Sequence, residues 1–391
     1  MTVDFTSAFT SFTDTPDQAE LRAVLRDFLG TRATPERVRQ AMASPAGYDE
    51  AAWKRLSGEL GLTGLAVPEQ YGGAGATLAE AAVAVEEIAR VLLPVPYLST
   101  ALAGTLLAEA TGSAQGPGTA EVPGAAEAAE RFLPGLANGA LSGALVLGDG
   151  VTLSGDGRLS GTVWNVLDGP LADVFLVRAG DDLAGGDLAA SDFAGDALVA
   201  VRAADTTVMP APTLDQTRPQ ATVVFDGAPA LRLSPEDDNG ALVGRAWKLM
   251  WTALAAESAA AAAQCLSMTV EYLKTRVQFG RPIGEFQALK HRCADLAVEA
   301  ESAHMTARAA LRATVSGDDD ELAIAAPLAK RYCADVFCHA AAEMIQLHGG
   351  IGFTWEHAAH LYLKRAKSTQ LLHGTPGELR ALIGRRAGLL D

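Results

Sequence analysis

The sequence predicts an α+β protein in three parts. These are an N-terminal α-helical domain over 1–128, a central β-barrel-like or sandwich domain over 129–238, and a C-terminal four-helix bundle over 239–391. Three observations predict it. Apolar residues recur at helical spacing over residues 17–110, as in Leu21, Leu25, Phe28 and Leu29. Over 140–233 the period falls to two, in short apolar runs broken by turn residues. From Asn239 the helical period returns in long stretches with short joints, the mark of an antiparallel bundle. With 391 residues, 49% of them hydrophobic, the chain can fill two or three cores.

In the first part, Trp53, Leu56 and Leu60 form a second helical stripe, and Gly61 stops it. Pro68-Glu69-Gln70-Tyr71-Gly72-Gly73 reads as a loop. Thr77, with Glu80 three residues on, reads as the capping box of the next helix. An Ala-, Gly- and Pro-rich stretch over 111–128 reads as a linker.

In the second part, Gly155-Asp156-Gly157 reads as a hairpin turn between strands 151–153 and 159–163. Residues 174–177, 197–201 and 221–225 read as further strands, and 183–196 as a variable loop. In the third part, helices are expected over 241–278, 285–315 and 321–347, then a shorter pair over 355–367 and 377–387. Gly280 with Pro282, and Gly349 with Gly350, punctuate them.

Composition narrows the function. A net charge of −16 with no basic block argues against a nucleic-acid partner. Cys265, Cys293, Cys333 and Cys338 lack metal-type spacing and read as reduced cytoplasmic thiols. The first residues lack the basic start and apolar core of a secretory signal, and no apolar run reaches the roughly 20 residues of a membrane span. A cytoplasmic location is the expectation.

Arg276-Val277-Gln278-Phe279-Gly280-Arg281-Pro282-Ile283-Gly284, followed by Phe286-Gln287, resembles the signature of the acyl-CoA dehydrogenase family. Gln346-Leu347-His348-Gly349-Gly350-Ile351-Gly352-Phe353 is similar to its second signature, and Leu65-Ala66-Val67-Pro68-Glu69-Gln70-Tyr71-Gly72-Gly73-Ala74-Gly75 to a third. The three stand in the family's order across nearly the whole chain. An Arg at a helix end beside a Gly turn can offer a cation and backbone donors to a pyrophosphate. The resemblance implies that Arg276, Gln278 and Phe279, with Gln346, Gly349 and Gly350, hold the adenosine-diphosphate half of FAD, and that this FAD belongs to the neighbouring subunit. It also implies an acyl-CoA substrate, an electron-transfer partner and a tetramer.

Two departures stand out. The family's base, a carboxylate that takes the α-proton while the β-hydrogen leaves as hydride to the flavin, lies in a Tyr-Glu-Gly-Thr-like run. The matching run here is Leu372-His373-Gly374-Thr375, which puts His373 at the catalytic position. Some members carry the base on the first bundle helix, about thirty residues before Phe279-Gly280, and that place is close to Trp251. The nearest acid, Glu257, lies about 9 Å further along the axis and reads as a structural charge. The family's flavin-binding Thr/Ser loop in the β domain corresponds to Leu145-Val146-Leu147-Gly148-Asp149-Gly150, shortened and without hydroxyls, with Trp164 and Asn165 nearby.

Groups that serve a neighbour's FAD are thus present, and groups that serve the chain's own flavin and base are missing. The expectation is a subunit of a hetero-oligomeric dehydrogenase whose homologous partner carries FAD and the catalytic Glu, acting on a bulky acyl-CoA. Three other readings stay open. One is a homo-oligomeric enzyme with His373 as base. Another is a flavin monooxygenase of the same fold, and the last a non-catalytic structural subunit. His357 and His360 are spaced as a helical metal pair but lack a third ligand, so no metal is expected.

Overall fold

The computed structural model describes residues 13–113, 122–180 and 193–390. Among them the chain forms two compact units. One draws on Met1–Gln40, Ala82–Leu93 and Trp251–Asp391, the other on Ala41–Ala81 and Pro94–Met250. The helix–strand–helix order expected of the sequence is present.

In the first unit, α1 (Pro16–Arg32) opens on a capping box in which Thr15 and Gln18 exchange bonds of 3.2 Å. Leu25 and Leu29 are its buried face. Helix α2 follows (Pro35–Met42). The Arg22 guanidinium of α1 reaches Asp14, Glu86 and Glu87, and Glu87 also accepts from Arg26 and Arg90. Arg90 continues the network to Gln264. Glu86 sits at 4% exposure, and burial pushes its carboxyl up to about 7 against the pull of Arg22.

Three long helices dominate this unit: α7 (Ala241–Thr275), which contributes from Trp251 onward, α8 (Gln287–Ser316) and α9 (Asp319–His348). Two shorter ones, α10 (Ala359–Leu371) and α11 (Pro376–Arg386), lie against α9. Their interior is rich in alanine, with Ala303, Ala307 and Ala310 on α8 and Ala326, Ala340 and Ala341 on α9 fully or almost fully buried. Small side chains let the axes approach closely, at the lower end of ordinary interhelical distances.

In the second unit, α3 (Glu50–Lys54) runs into a wide π turn, Arg55–Glu59, whose bond from Leu60 N–H to Arg55 O spans five residues. Trp53 and Leu56 are buried there, and Gly61 stops the turn at φ 64°. The helix α4 (Leu78–Arg90) starts at Thr77, whose N–H donates to Glu80 at 2.9 Å while its hydroxyl accepts from Ala79 N–H. Beyond α5 (Tyr97–Ser113), the stretch expected to be a linker is corrected in part. Residues 114–121 lie outside the described ones, and α6 (Pro123–Asn138) begins well before 128. Its Ala125, Ala128, Ala129, Leu133 and Leu136 are buried, so alanines that read as a low-complexity spacer are the packing face of a helix.

Two four-stranded sheets share one core. The first has the order β1-β4-β5-β8, namely Gly143–Val146, Val174–Ala179, Ala197–Arg202 and Leu231–Arg232, with β1 parallel to β4. The second has the order β2-β3-β7-β6, namely Val151–Leu153, Arg158–Leu167, Gln220–Pro229 and Thr207–Ala211. Val146, Phe175, Val177 and Val199 from one meet Leu159, Val163, Val223 and Phe225 from the other. In β4 the intervening Val174 and Leu176 are buried as well, and α5 covers β1. A strand buried on both faces reads as a continuous apolar run, whereas β3 alternates. The hairpin at Gly155–Gly157 pairs Leu153 with Leu159, as its turn residues require. Most of the variable loop, 183–192, lies outside the described residues.

Candidate functional site

Helix α7 ends at Thr275, three residues before the sequence suggested, because a hairpin intervenes. Strands β9 (Val277–Gln278) and β10 (Arg281–Pro282) pair antiparallel across the two-residue turn Phe279-Gly280. Both turn residues are left-handed, φ 54° and 77°, as the turn that matches strand twist requires. Ile283 N–H closes the motif onto Arg276 O at 2.8 Å. Asparagine or glycine suits such a turn, and a phenylalanine there costs about 1 kcal/mol or more. Yet Phe279 is 91% exposed, meeting Phe286 edge-on at 6.1 Å. Arg276 and Gln278 are exposed beside it.

The second signature closes α9. Gly349 has φ 63° and ψ −141°, a conformation open essentially to glycine alone. Gly350 follows in a 3₁₀ turn, Gly349–Phe353. A Cβ on either glycine would meet no heavy atom of this chain within 4 Å, so both face open space. Tyr272, one turn before Arg276, stacks on His348 with ring centres 4.4 Å apart, bringing the two signatures side by side. His348 donates from Nδ1 to Met344 O at 2.7 Å, and its ring lies 4.3 Å from that of His357. Burial, then the nearby His348, Arg39 and His360, push His357 down to about 4. Its Nδ1 accepts from Ala359 N–H, which also requires it to be unprotonated there.

Arg276, Gln278, Phe279, Gln346, Gly349 and Gly350 therefore lie exposed on adjoining segments of the first unit. A guanidinium, an amide, an aromatic ring and a glycine-only backbone, all outward-facing, fit the adenosine-diphosphate half of a dinucleotide held against this surface.

His373 occupies the joint between α10 and α11, at φ 55°, and Gly374 follows at φ 108°. Trp251 is 1% exposed, and its Nε1–H donates to His373 O at 2.8 Å. The two places at which the family resemblance expects a base are thus neighbours, and neither holds a carboxylate. Glu257, the next acid on α7, pairs with Arg365 at 2.7 Å, both nearly fully buried. Lys330 also meets this joint, and the sequence reading passed over it. Its Nζ is buried and donates to Gln370 O at 3.0 Å and to Gly374 O at 2.6 Å. Burial pushes its ammonium down to about 8, partly opposed by Asp335, Glu378 and Cys338. A signal existed, because Lys330 falls on the stripe Leu322, Ala326, Cys333 and Phe337, the apolar face of α9.

In the second unit the connection between β1 and β2 is four residues long. Leu147 is buried, and Asp149 pairs with Arg178, which also holds Asp196. It offers no hydroxyl to a flavin, and its carboxylate is committed. Trp164 is 68% exposed at a bulge of β3, next to Asn165 at φ 58°. The 147–150 connection thus lacks the hydroxyls expected of a flavin-ring site. No group of three or more His, Cys, Asp or Glu among the described residues is arranged to hold a metal, and no described helix is long and apolar enough to cross a membrane.

Residues 15–140 match the acyl-CoA dehydrogenase N-terminal domain and residues 247–388 its C-terminal domain. The chain is 37% identical to the acyl-CoA dehydrogenase IpdE2 of Mycobacterium tuberculosis, over 93% of this chain and 95% of that protein. Among solved structures, a variant of the Tcur3481-Tcur3483 steroid ACAD superposes with a TM-score of 0.81 at 30% identity, covering 95% of this chain and 98% of that one. The ChsE4-ChsE5 complex of Mycobacterium tuberculosis superposes at 0.82 and 25% identity, covering 97% and 99%. By sequence over nearly its whole length, and by fold, the chain belongs to the acyl-CoA dehydrogenase family of flavoprotein oxidoreductases.

Proposed function

We propose that this chain is one subunit of a hetero-oligomeric acyl-CoA dehydrogenase and serves FAD seated on a homologous partner. The partner supplies the carboxylate that removes the α-proton of the acyl-CoA. One observation carries the reading: the two base positions hold Trp251 and His373, bonded to each other at 2.8 Å, and the nearest acid on α7 is locked to Arg365. A carboxylate paired and buried in this way is held by its partner and is not available as a base.

Helix geometry supports an FAD shared between two chains. Trp251 and Thr275 are twenty-four residues apart on α7, roughly 36 Å. That exceeds the length of an extended flavin dinucleotide, so one chain's signature face and its reacting position cannot serve the same FAD. Arg276 would meet the pyrophosphate charge, Gln278 and Gln346 would offer amides, and the backbone at Gly349 and Gly350 would let the cofactor approach without a side chain between. FAD, when bound, accepts the hydride leaving the β-carbon. The similarity to two proteins named as pairs, Tcur3481-Tcur3483 and ChsE4-ChsE5, favours a two-gene assembly, with a tetramer as its form. The steroid ACAD among them favours a bulky acyl-CoA as substrate.

The test is to purify the chain alone and co-expressed with a homologue that carries the missing Glu. Bound flavin is read by visible absorbance and turnover with an artificial electron acceptor. The chain alone should be colourless and inactive, and the pair yellow and active, with one FAD for each pair of chains. A fully flavinated homo-oligomer that oxidises an acyl-CoA refutes the proposal.

A further inference from the structure

We infer that Lys330 positions the turn that corresponds to the family's base-bearing run, holding the His373–Gly374 backbone in place through the carbonyls of Gln370 and Gly374. The inference rests on reading 372–375 as the family's base-bearing turn, as the proposed function does.

The turn is unusual in what holds it. His373 is left-handed without being glycine, a conformation that costs about 1–3 kcal/mol unless its surroundings impose it. Three hydrogen bonds from two donor groups impose it here. Lys330 Nζ, from α9, binds the carbonyl of Gln370 in the last turn of α10 and that of Gly374 beyond it. The Trp251 indole, from α7, binds the carbonyl between them, that of His373. On the far side Thr375 N–H donates to Glu378 at 2.7 Å, within a capping box that starts α11. Three carbonyls within five residues are thus drawn toward donors on two helices, and the N–H of the last of these peptides, that of Thr375, is held by Glu378.

The choice of donor matters. A helix end that needs only a stop is given one by a left-handed glycine with no desolvation cost. Burying an ammonium costs several kcal/mol, offset only by hydrogen bonds and nearby opposite charge. The hydrogen-bond partners of Lys330 here are neutral carbonyls, with Asp335 and Glu378 near enough to oppose the loss of its proton. What the lysine adds over a simple cap is a rigid hold on the residue that the turn presents. Lys330 touches no reacting atom in this account and acts through the backbone alone.

The experiment reads amide hydrogen exchange on the full chain, peptide by peptide, for Lys330→Met and Lys330→Ala. Lys330→Met keeps most of the side-chain volume and removes the donor. It should raise exchange in residues 370–375 at least tenfold while peptides from α8 keep their protection. Propylammonium, which replaces the lost atoms of Lys330→Ala, should restore protection of that segment, whereas sodium at equal ionic strength should not. Unchanged exchange at 370–375 in Lys330→Met overturns the inference. So does a rise spread equally over the whole bundle, or the absence of rescue by the amine. The measurement needs neither flavin nor partner, so failure of the hetero-oligomer reading leaves its outcome intact.

Discussion

Replacing Phe279 by asparagine separates cofactor service from folding. Phe279 is 91% exposed and left-handed at φ 54°, so its ring buries almost nothing within the chain. Asparagine tolerates the same φ, and the substitution relieves about 1 kcal/mol of backbone strain. Against this stands the lost edge-on contact with Phe286 at 6.1 Å, worth about 0.5–1 kcal/mol and less where water reaches it. The two nearly cancel, so the stability of the isolated chain in urea should change by less than about 1 kcal/mol. In the paired enzyme the same substitution removes an aromatic surface from the dinucleotide. FAD retention should weaken about tenfold, or about 1.4 kcal/mol, read by flavin released on dilution and gel filtration. A loss of more than about 2 kcal/mol in the isolated chain, with flavin retention unchanged, would show that Phe279 is a folding residue and refute the reasoning.

Arg276→Ala, at an exposed position, should leave unfolding of the isolated chain within about 0.5 kcal/mol of the parent and lower FAD retention of the pair more than Arg276→Lys does, by flavin titration. Glu257→Gln removes the charge that faces the buried Arg365 and should destabilise by about 3–5 kcal/mol in urea; a double change to Leu and Met at the two positions should recover most of that. For Glu86 the folded pKa, about 7, lies above the unfolded value near 4.5, so its contribution is fully present below pH 4.5 and fades as pH rises to about 7. Glu86→Gln should therefore flatten the stability–pH profile in that window, and an unaltered profile counts against the burial argument. For His357 the shift is downward, to about 4, so its contribution is present above pH 6.5 and is lost on acidification from 6.5 toward 4, read as earlier thermal unfolding that His357→Phe abolishes.

Much of this architecture is legible in the sequence because it follows periodicity. The stripes at Leu25 and Leu29 and at Trp53 and Leu56, the Gly155–Gly157 hairpin and the long C-terminal helices each rest on local spacing. Where local spacing misleads, the reason is composition. Helix α6 is built of alanine and glycine with Pro134 inside it, and its packing face resembles a spacer. Likewise, no Gly or Pro marks the end of α7 at Thr275, and the left-handed Phe279-Gly280 pair comes only later, as the turn inside the hairpin. The signature residues are legible as a motif, but their outward aim is a property of the fold. The tie between Trp251 and His373 joins residues 122 apart in sequence, and Lys330 reaches carbonyls 40 and 44 residues away. Such contacts follow from how the helices assemble, and no window of sequence contains them.

The length of α7 has a consequence for inheritance. One rod carries the exposed signature residues at one end and Trp251, at the family's alternative base position, toward the other, with roughly 36 Å of helix between. Mutation can therefore erase one end without disturbing the other, and selection can act on each alone. After a gene duplication, one copy is free to lose its acid while still supporting its sister, and the sister is free to depend on it. On the proposed reading, the most recognisable motifs in such a sequence belong to what the chain does for its neighbour. Whether it can also react on its own account is written at the other end of the helix.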